Sequence, residues 1–319
     1  MEIWHRLKDP VQTDRMGAPS GRLQVVEQEG EKTMGKIVIV GSGPAGCSAA
    51  LYAARAGQEV VVISMGMGAL SKAELIQNYY GFEEGITGAE LYRQGVAGAK
   101  AVGAEFITAE VVGLDYTGSL VVQTTEGDYP ADAVILATGA GRIAPKIAGL
   151  AEHEGRGVSY CATCDAFFYR GKTAAVLGSG EYALHEVQAL LPLAGKVILC
   201  TNGEPLTADF PEGVEICTEK LAAVEGEEKV SALRLENGEL LPVEGLFVAL
   251  GVAGSAALAR KLGAPVENGR IVVDERMQTG IPGLYAAGDC TGGLLQVCKA
   301  VYEGALAATE AIKQIRGKK

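Results

Sequence analysis

Apolar and polar positions along this chain follow two periods, and the places where one gives way to the other mark its elements. From residue 36 the sequence reads KIVIV, then the turn GSGPAG, then the alanine-rich CSAALYAARAG, then the apolar run EVVVIS. Short β-branched runs bracketing a stretch of helical spacing predict a strand, a helix and a second, parallel strand. TGAEL (87–91) offers a capping box, Thr87 with Glu90 three residues on, and predicts a helix to about Val102. The same pattern returns in KTAAVLGSGEYALHEVQALLPLAGKVILC (172–200). Between the two units, ADAVILATGA (131–140) reads as a buried strand ending in a threonine-glycine turn. VSALRLENGELLPVEGLFVALG predicts a hairpin through Asn237 and Gly238 followed by another buried strand, and the C-terminal stretch predicts a strand, a turn and a long apolar helix. Residues 1–33 are polar without sustained periodicity and are expected to form a disordered or loosely attached extension.

Composition narrows the classes. A chain of 319 residues, 48% apolar and 21% charged, has room for two domains and is neither disordered nor fibrous. Its net charge of −11 gives no general attraction to nucleic acid or to an anionic membrane surface, so neither is an expected partner. No apolar run approaches the ~20 residues that span a bilayer, and the N-terminal segment lacks the apolar core of a signal peptide, which points to the cytoplasm. Seven cysteines do not suit a disulfide scaffold, and in a reducing compartment close-spaced cysteines are catalytic or metal-binding.

The first turn carries Gly41, Gly43 and Gly46 in GxGxxG spacing, between a strand and a helix, with Ser42, Pro44 and Ala45 interleaved. The first glycine allows the tight turn, the second lets backbone approach a pyrophosphate, and the third lets helix pack on strand. The phosphates then meet the positive end of the helix. The acidic residue expected about 20 positions on is missing, since the next strand ends at Ser64, and this alone leaves FAD and NAD undecided. AAGDC decides for FAD: Gly288 and Asp289 after a buried strand resemble the second signature of FAD-binding disulfide reductases, whose carboxylate binds a ribityl hydroxyl. The helix beginning near Gln296 and Val297 would then point its N-terminus at the isoalloxazine. The same resemblance to FAD-binding disulfide reductases implies Leu70, Asn78, Thr138 and Gly139 as the rest of the FAD set. The expected fold class is α/β, with two Rossmann-like domains of FAD/NAD(P)-binding type, the second inserted into the first. Residues 34–141 and 245–319 form the FAD domain, and 142–244 the insertion.

GVSYCATCDAFFYRGK supplies Cys161 and Cys164 as CxxC, with Asp165 beside them. A closed zinc site needs a second pair at suitable spacing, and Cys200 and Cys217 are too far apart in sequence, so a redox disulfide is favoured and no metal is expected. A thiolate of such a pair is the species that attacks a disulfide. From about Met34 onward the chain resembles the low-molecular-weight thioredoxin reductases, through GSGPAG, NYYGF, ATG, GRGVSYCATCD, FFYRGK, GSGEYA, GLFVALG and AAGD. The resemblance implies a homodimer whose CxxC domains rotate between two states. It implies Cys164 as the flavin-facing sulfur, Cys161 as the one that attacks thioredoxin, Asp165 as the acid that manages the proton, and Asn78 near the flavin.

One part departs from that family. Members using NADPH follow the second glycine loop with HRRxxxR, because a 2′-phosphate needs fixed cationic donors. Here Thr201, Asn202, Gly203 and Thr207 stand in that region, with no Arg or Lys between Lys196 and Lys220. Gly178, Gly180 and Ala183 keep the loop, but Glu181 is expected to repel a pyrophosphate and Tyr182 to occupy its space. Leu295 replaces the family's basic residue before Gln296, and no acid ends the strand to hold an NADH ribose. With GALSKAELIQNYYGF and ALHEVQALLP, these departures resemble the ferredoxin-dependent flavin thioredoxin reductases and imply reduced ferredoxin as electron donor. Docking an acidic ferredoxin on an acidic chain needs a local basic surface, for which Arg142, Lys146 and Lys299 are candidates. A pyridine-nucleotide reductase with an unusual pocket, a flavin dithiol oxidase and a redox-sensing flavoprotein are the alternatives. Cys47, Cys290 and Cys298 are expected to be buried structural thiols, and three histidines give His185 no metal or nucleophile partner.

Overall fold

The computed structural model describes residues 34–140, 147–251 and 254–317. The N-terminal extension and the candidate docking residues Arg142 and Lys146 lie outside the described residues.

The fold is α/β, built on two parallel five-stranded sheets. The first has the order Leu284–Ala286, Ala133–Leu136, Lys36–Val40, Glu59–Ser64, Glu105–Thr108, all parallel. Its central strands are covered on both faces, which is why they read as unbroken apolar runs rather than alternating ones. Helix α1 (Pro44–Arg55) covers one face, and α2 (Gly88–Ala101) lies beside it. Thr87 caps α2 as expected, its Oγ1 accepting from Glu90 N at 3.1 Å. The Glu90 carboxylate turns instead to Arg93 and Gln94, so only half of the capping box forms.

The second sheet has the order Glu215–Cys217, Lys196–Cys200, Thr173–Leu177, Gly245–Val248, Val158–Ser159. It carries the one-turn α3 (Ala162–Asp165) and α4 (Glu181–Leu190). The strand Gly245–Val248 corrects the boundary expected at 244/245: it pairs with Thr173–Leu177 and Val158–Ser159, so the chain leaves the second sheet only after Val248. Two antiparallel three-stranded sheets flank these units, Val111–Tyr116 with Leu120–Thr124 and Gly127–Ala131, and Leu221–Glu225 with Ala232–Leu235 and Leu240–Pro242. The latter contains the hairpin expected at Asn237 and Gly238. Helix α5 (Ser255–Lys261) and α4 both pack against Val111–Tyr116, which joins the two halves. The long α6 (Val297–Gly317) closes the chain against α1. No helix among the described residues is long and apolar enough to cross a membrane.

Candidate functional site: a glycine-lined cleft and a CxxC centre

The first glycine turn opens a cleft of about 470 Å³ at the carboxyl ends of the first sheet. Gly41 has φ +109°, and a Cβ there would meet the Ala137 carbonyl oxygen at 2.3 Å. A Cβ on Gly46 would meet the Gly41 carbonyl oxygen at 1.8 Å, so helix and strand approach as closely as the motif requires. Around Gly43 the space is open, and α1 starts with Pro44 and no acidic residue in its first turn. Its free amides and positive end therefore face room for an anion.

Gly41 to Ala45, Leu70, Asn78, Thr138, Gly139, Gly288, Asp289, Gln296 and Val297 line this cleft together. The Asn78 Nδ2 donates to Gln296 Oε1 at 2.8 Å, joining two residues far apart in sequence. Gly46 and Ser64 sit behind it: Gly46 under the turn, and the Ser64 hydroxyl 2.7 Å from that of the buried Ser42. Gly66 to Ala69 and Leu75 also line the cleft, although no residue-level role was expected for them. The turn bearing Asp289 is fixed by a part-buried carboxylate, because Glu303 Oε2 accepts from Gly288 N at 2.8 Å, from Thr291 Oγ1 at 3.0 Å and from Lys299 Nζ at 2.8 Å. Lys299 also donates to the Gly288 carbonyl at 2.9 Å. This corrects its expected place on a docking surface, since its ammonium is spent inside the turn. Thr138 and Ser255 exchange hydrogen bonds across the cleft wall, Ser255 N donating to Thr138 Oγ1 at 2.9 Å.

Cys161 and Cys164 form a disulfide with Cα atoms 5.4 Å apart. Cys161 is 4% exposed, while Cys164 is exposed and lies 3.5 Å from the Lys261 carbonyl oxygen. Neither cysteine lines the cleft. The Ser159 hydroxyl donates to Asp165 Oδ2 at 2.7 Å, which fixes that carboxylate beside the disulfide. Beneath the pair lies a residue the sequence reading passed over: Glu186 on α4 accepts from Ala162 N and from Lys261 Nζ, the latter at 2.5 Å.

The second glycine loop differs from expectation in two ways. Tyr182 is buried, and its hydroxyl donates to the Tyr160 carbonyl at 3.0 Å. It therefore packs inward instead of filling the mouth of the loop. Thr207 covers the loop, its backbone N donating to Ser179 O at 2.8 Å, with its hydroxyl beside Gly180. Thr201 is buried, and Asn202 Oδ1 accepts from Leu221 N at 2.8 Å, so neither side chain brings a cation to the loop. The fold adds a basic side chain here, the exposed Lys220, whose aliphatic part lies against Gly203.

Of the other cysteines, Cys47 and Cys290 are buried as expected, whereas Cys298 is exposed, because α6 turns that position outward at its first turn. Cys200 and Cys217 become register partners in the second sheet. No cluster of three or more metal-ligating side chains occurs among the described residues.

Comparison with known proteins agrees with this geometry. Residues 35–304 match the family model for pyridine nucleotide-disulphide oxidoreductases. The thioredoxin reductase of Aquifex aeolicus is 36% identical over 307 residues, 89% of this chain and 94% of that protein. The atypical thioredoxin reductase TRi of Desulfovibrio vulgaris Hildenborough superposes with a TM-score of 0.83 at 40% identity, over 89% of this chain and 98% of that one. A ferredoxin-flavin thioredoxin reductase of Clostridium acetobutylicum superposes with a TM-score of 0.69 at 35% identity, over 89% and 99%. The chain belongs to the pyridine nucleotide-disulphide oxidoreductases, among the thioredoxin reductases, and is an FAD-dependent disulfide oxidoreductase.

Proposed function

We propose that this chain reduces the disulfide of a thioredoxin with electrons delivered by reduced ferredoxin rather than by NADPH, acting as a homodimer. The observation that carries the choice of donor is the second glycine loop. Thr207 lies over it, Glu181 adds a carboxylate at the start of α4, and Thr201 and Asn202 stand where a 2′-phosphate would need cations. The likeness to a protein named as ferredoxin-flavin thioredoxin reductase supports the same reading.

Bound FAD supplies a carrier that takes electrons singly and releases them as a pair. The Gly41 to Gly46 turn and the first turn of α1 would bind its pyrophosphate, Asp289 would hold the ribityl chain, and Asn78 and Gln296 would hold the flavin end of the cleft. The Cys161–Cys164 disulfide takes up two electrons and two protons to become a dithiol. Asp165, oriented by Ser159, holds and moves one of these protons. The Cys161 thiolate then attacks the thioredoxin disulfide and forms a mixed disulfide. Attack by Cys164 on Cys161 releases reduced thioredoxin and restores the starting disulfide. Because Cys161 is buried and neither cysteine lines the cleft, the cycle requires the CxxC half to move between the cleft and the partner. The test is turnover: reduced ferredoxin with this enzyme should reduce thioredoxin catalytically, and NADPH in its place should not.

One observation favours a second reading, use of a pyridine nucleotide. Lys220 lies against the Gly203 turn, where a single ammonium would face a ribose phosphate. Turnover with NADPH that is lost in Lys220→Met would establish that reading instead.

A further inference from the structure

We infer that Glu186 and Lys261 are positioning residues of the disulfide centre, which hold the start of the CxxC turn and set the redox potential of Cys161–Cys164 with opposite signs. The inference deepens the disulfide reductase reading and is independent of the identity of the electron donor.

Both side chains are out of solvent, Glu186 at 1% and Lys261 at 2% exposure, and their charged atoms are 2.5 Å apart. The other carboxylate oxygen accepts from Ala162 N, the residue that follows Cys161. Lys261 ends α5, and its carbonyl oxygen lies 3.5 Å from Cys164 Sγ. The ion pair therefore holds the start of the CxxC turn and ties α4 to α5, while the backbone of Lys261 meets the end of the turn. A buried pair of this kind is weak evidence for stability, since desolvation offsets its attraction. Its presence beside a redox disulfide calls for another account, and charge supplies one. Reduction of the disulfide can place a thiolate a residue away from the carboxylate, and the effective dielectric constant there is far below that of water.

Among the described residues, few other charges stand near the centre. Asp165 is held by Ser159, Glu154 accepts from the Tyr160 hydroxyl, Arg260 stacks on the Tyr160 ring, and His185 Nδ1 lies 3.4 Å from Glu186. Burial works to raise the Glu186 pKa, but His185, the Lys261 charge and the Ala162 amide outweigh it and hold the carboxyl below its ordinary range. The carboxylate thus stays ionised, and the pair sums to zero charge. Removing the carboxylate leaves an ammonium, which favours the thiolate and makes the disulfide easier to reduce. Removing the ammonium leaves a carboxylate, which disfavours the thiolate and makes it harder to reduce.

The test measures the midpoint potential of Cys161–Cys164 in the FAD-loaded enzyme, by equilibrating it with glutathione or dithiothreitol buffers and counting free thiols by mass. Glu186→Gln should shift the dithiol–disulfide equilibrium at least tenfold toward the dithiol, about 30 mV for two electrons. Lys261→Met should shift it toward the disulfide, and the double variant should lie between the two. Lys261→Arg keeps the charge and should restore the native value. Where a single variant fails to retain FAD, the double variant and Lys261→Arg carry the test. Potentials unchanged in all variants, or shifted in the same direction by Glu186→Gln and Lys261→Met, would overturn the inference and leave the pair a purely structural link. Failure of the thioredoxin reductase reading would show separately, as native enzyme that cycles its disulfide but does not reduce thioredoxin.

Discussion

At the scale of single residues, accessibility and role are in tension at the CxxC centre. Cys164 faces solvent and Cys161 does not, although Cys161 is the sulfur assigned to thioredoxin. Trapping resolves this directly. Cys164→Ser should accumulate a mixed disulfide with thioredoxin through Cys161, visible as a mass shift under non-reducing conditions, and Cys161→Ser should not; the reverse outcome would exchange the two roles. The remaining thiols differ in a way that alkylation reads. Burial pushes Cys47 up to about 12 and Cys290 up to about 11, and raises Cys200 as well. Thiols with raised pKa values stay protonated at pH 8, and only the thiolate alkylates. Iodoacetamide at that pH should therefore label the exposed Cys298 in the native enzyme well before Cys47 or Cys290, as mass spectrometry of digests would show. Sequence made Cys298 look like Cys290 because burial is a property of the helix's orientation, and one apolar neighbourhood in sequence reads much like another.

At the scale of elements, the two glycine turns illustrate what local patterns reveal. Gly41, Gly43 and Gly46 were legible because each answers a backbone requirement within a single strand–turn–helix unit. Glu303 was not legible: it looks like an ordinary i,i+4 partner of Lys299, yet it holds the Gly288–Asp289 turn. Hydrogen bonds to charged groups contribute about 1.5–3 kcal/mol each. Glu303→Gln should weaken FAD retention by about tenfold or more, measured as flavin released on dilution or dialysis, with the fold otherwise kept. Unchanged retention would remove Glu303 from the site. A Cβ on Gly46 has no room, so Gly46→Ala should yield protein largely without flavin. The boundary at 244/245 failed for a different reason. GLFV is buried on both faces and fits the centre of either parallel sheet, so only pairing with Thr173–Leu177 decides its membership. Tyr182 failed likewise, because the direction of a side chain on α4 depends on what packs beneath it, here the Tyr160 carbonyl.

At the scale of the whole molecule, two halves meet through α4, α5 and the strand Val111–Tyr116, with the Glu186–Lys261 pair at the junction. That pair links positions 75 residues apart, a separation no periodicity reports. Tyr52 on α1 and Tyr302 on α6 expose large apolar rings on neighbouring helices, which supports the proposed homodimer. Light scattering of the FAD-loaded enzyme should give the mass of two chains, and a monomer would count against it. The central claim concerns the electron donor, and anaerobic titration of the oxidised, FAD-loaded enzyme tests it most directly. Stoichiometric NADPH or NADH should leave the oxidised flavin band in place. Reduced ferredoxin should bleach it, and added thioredoxin disulfide should restore it. Bleaching by one equivalent of either nucleotide would contradict the account.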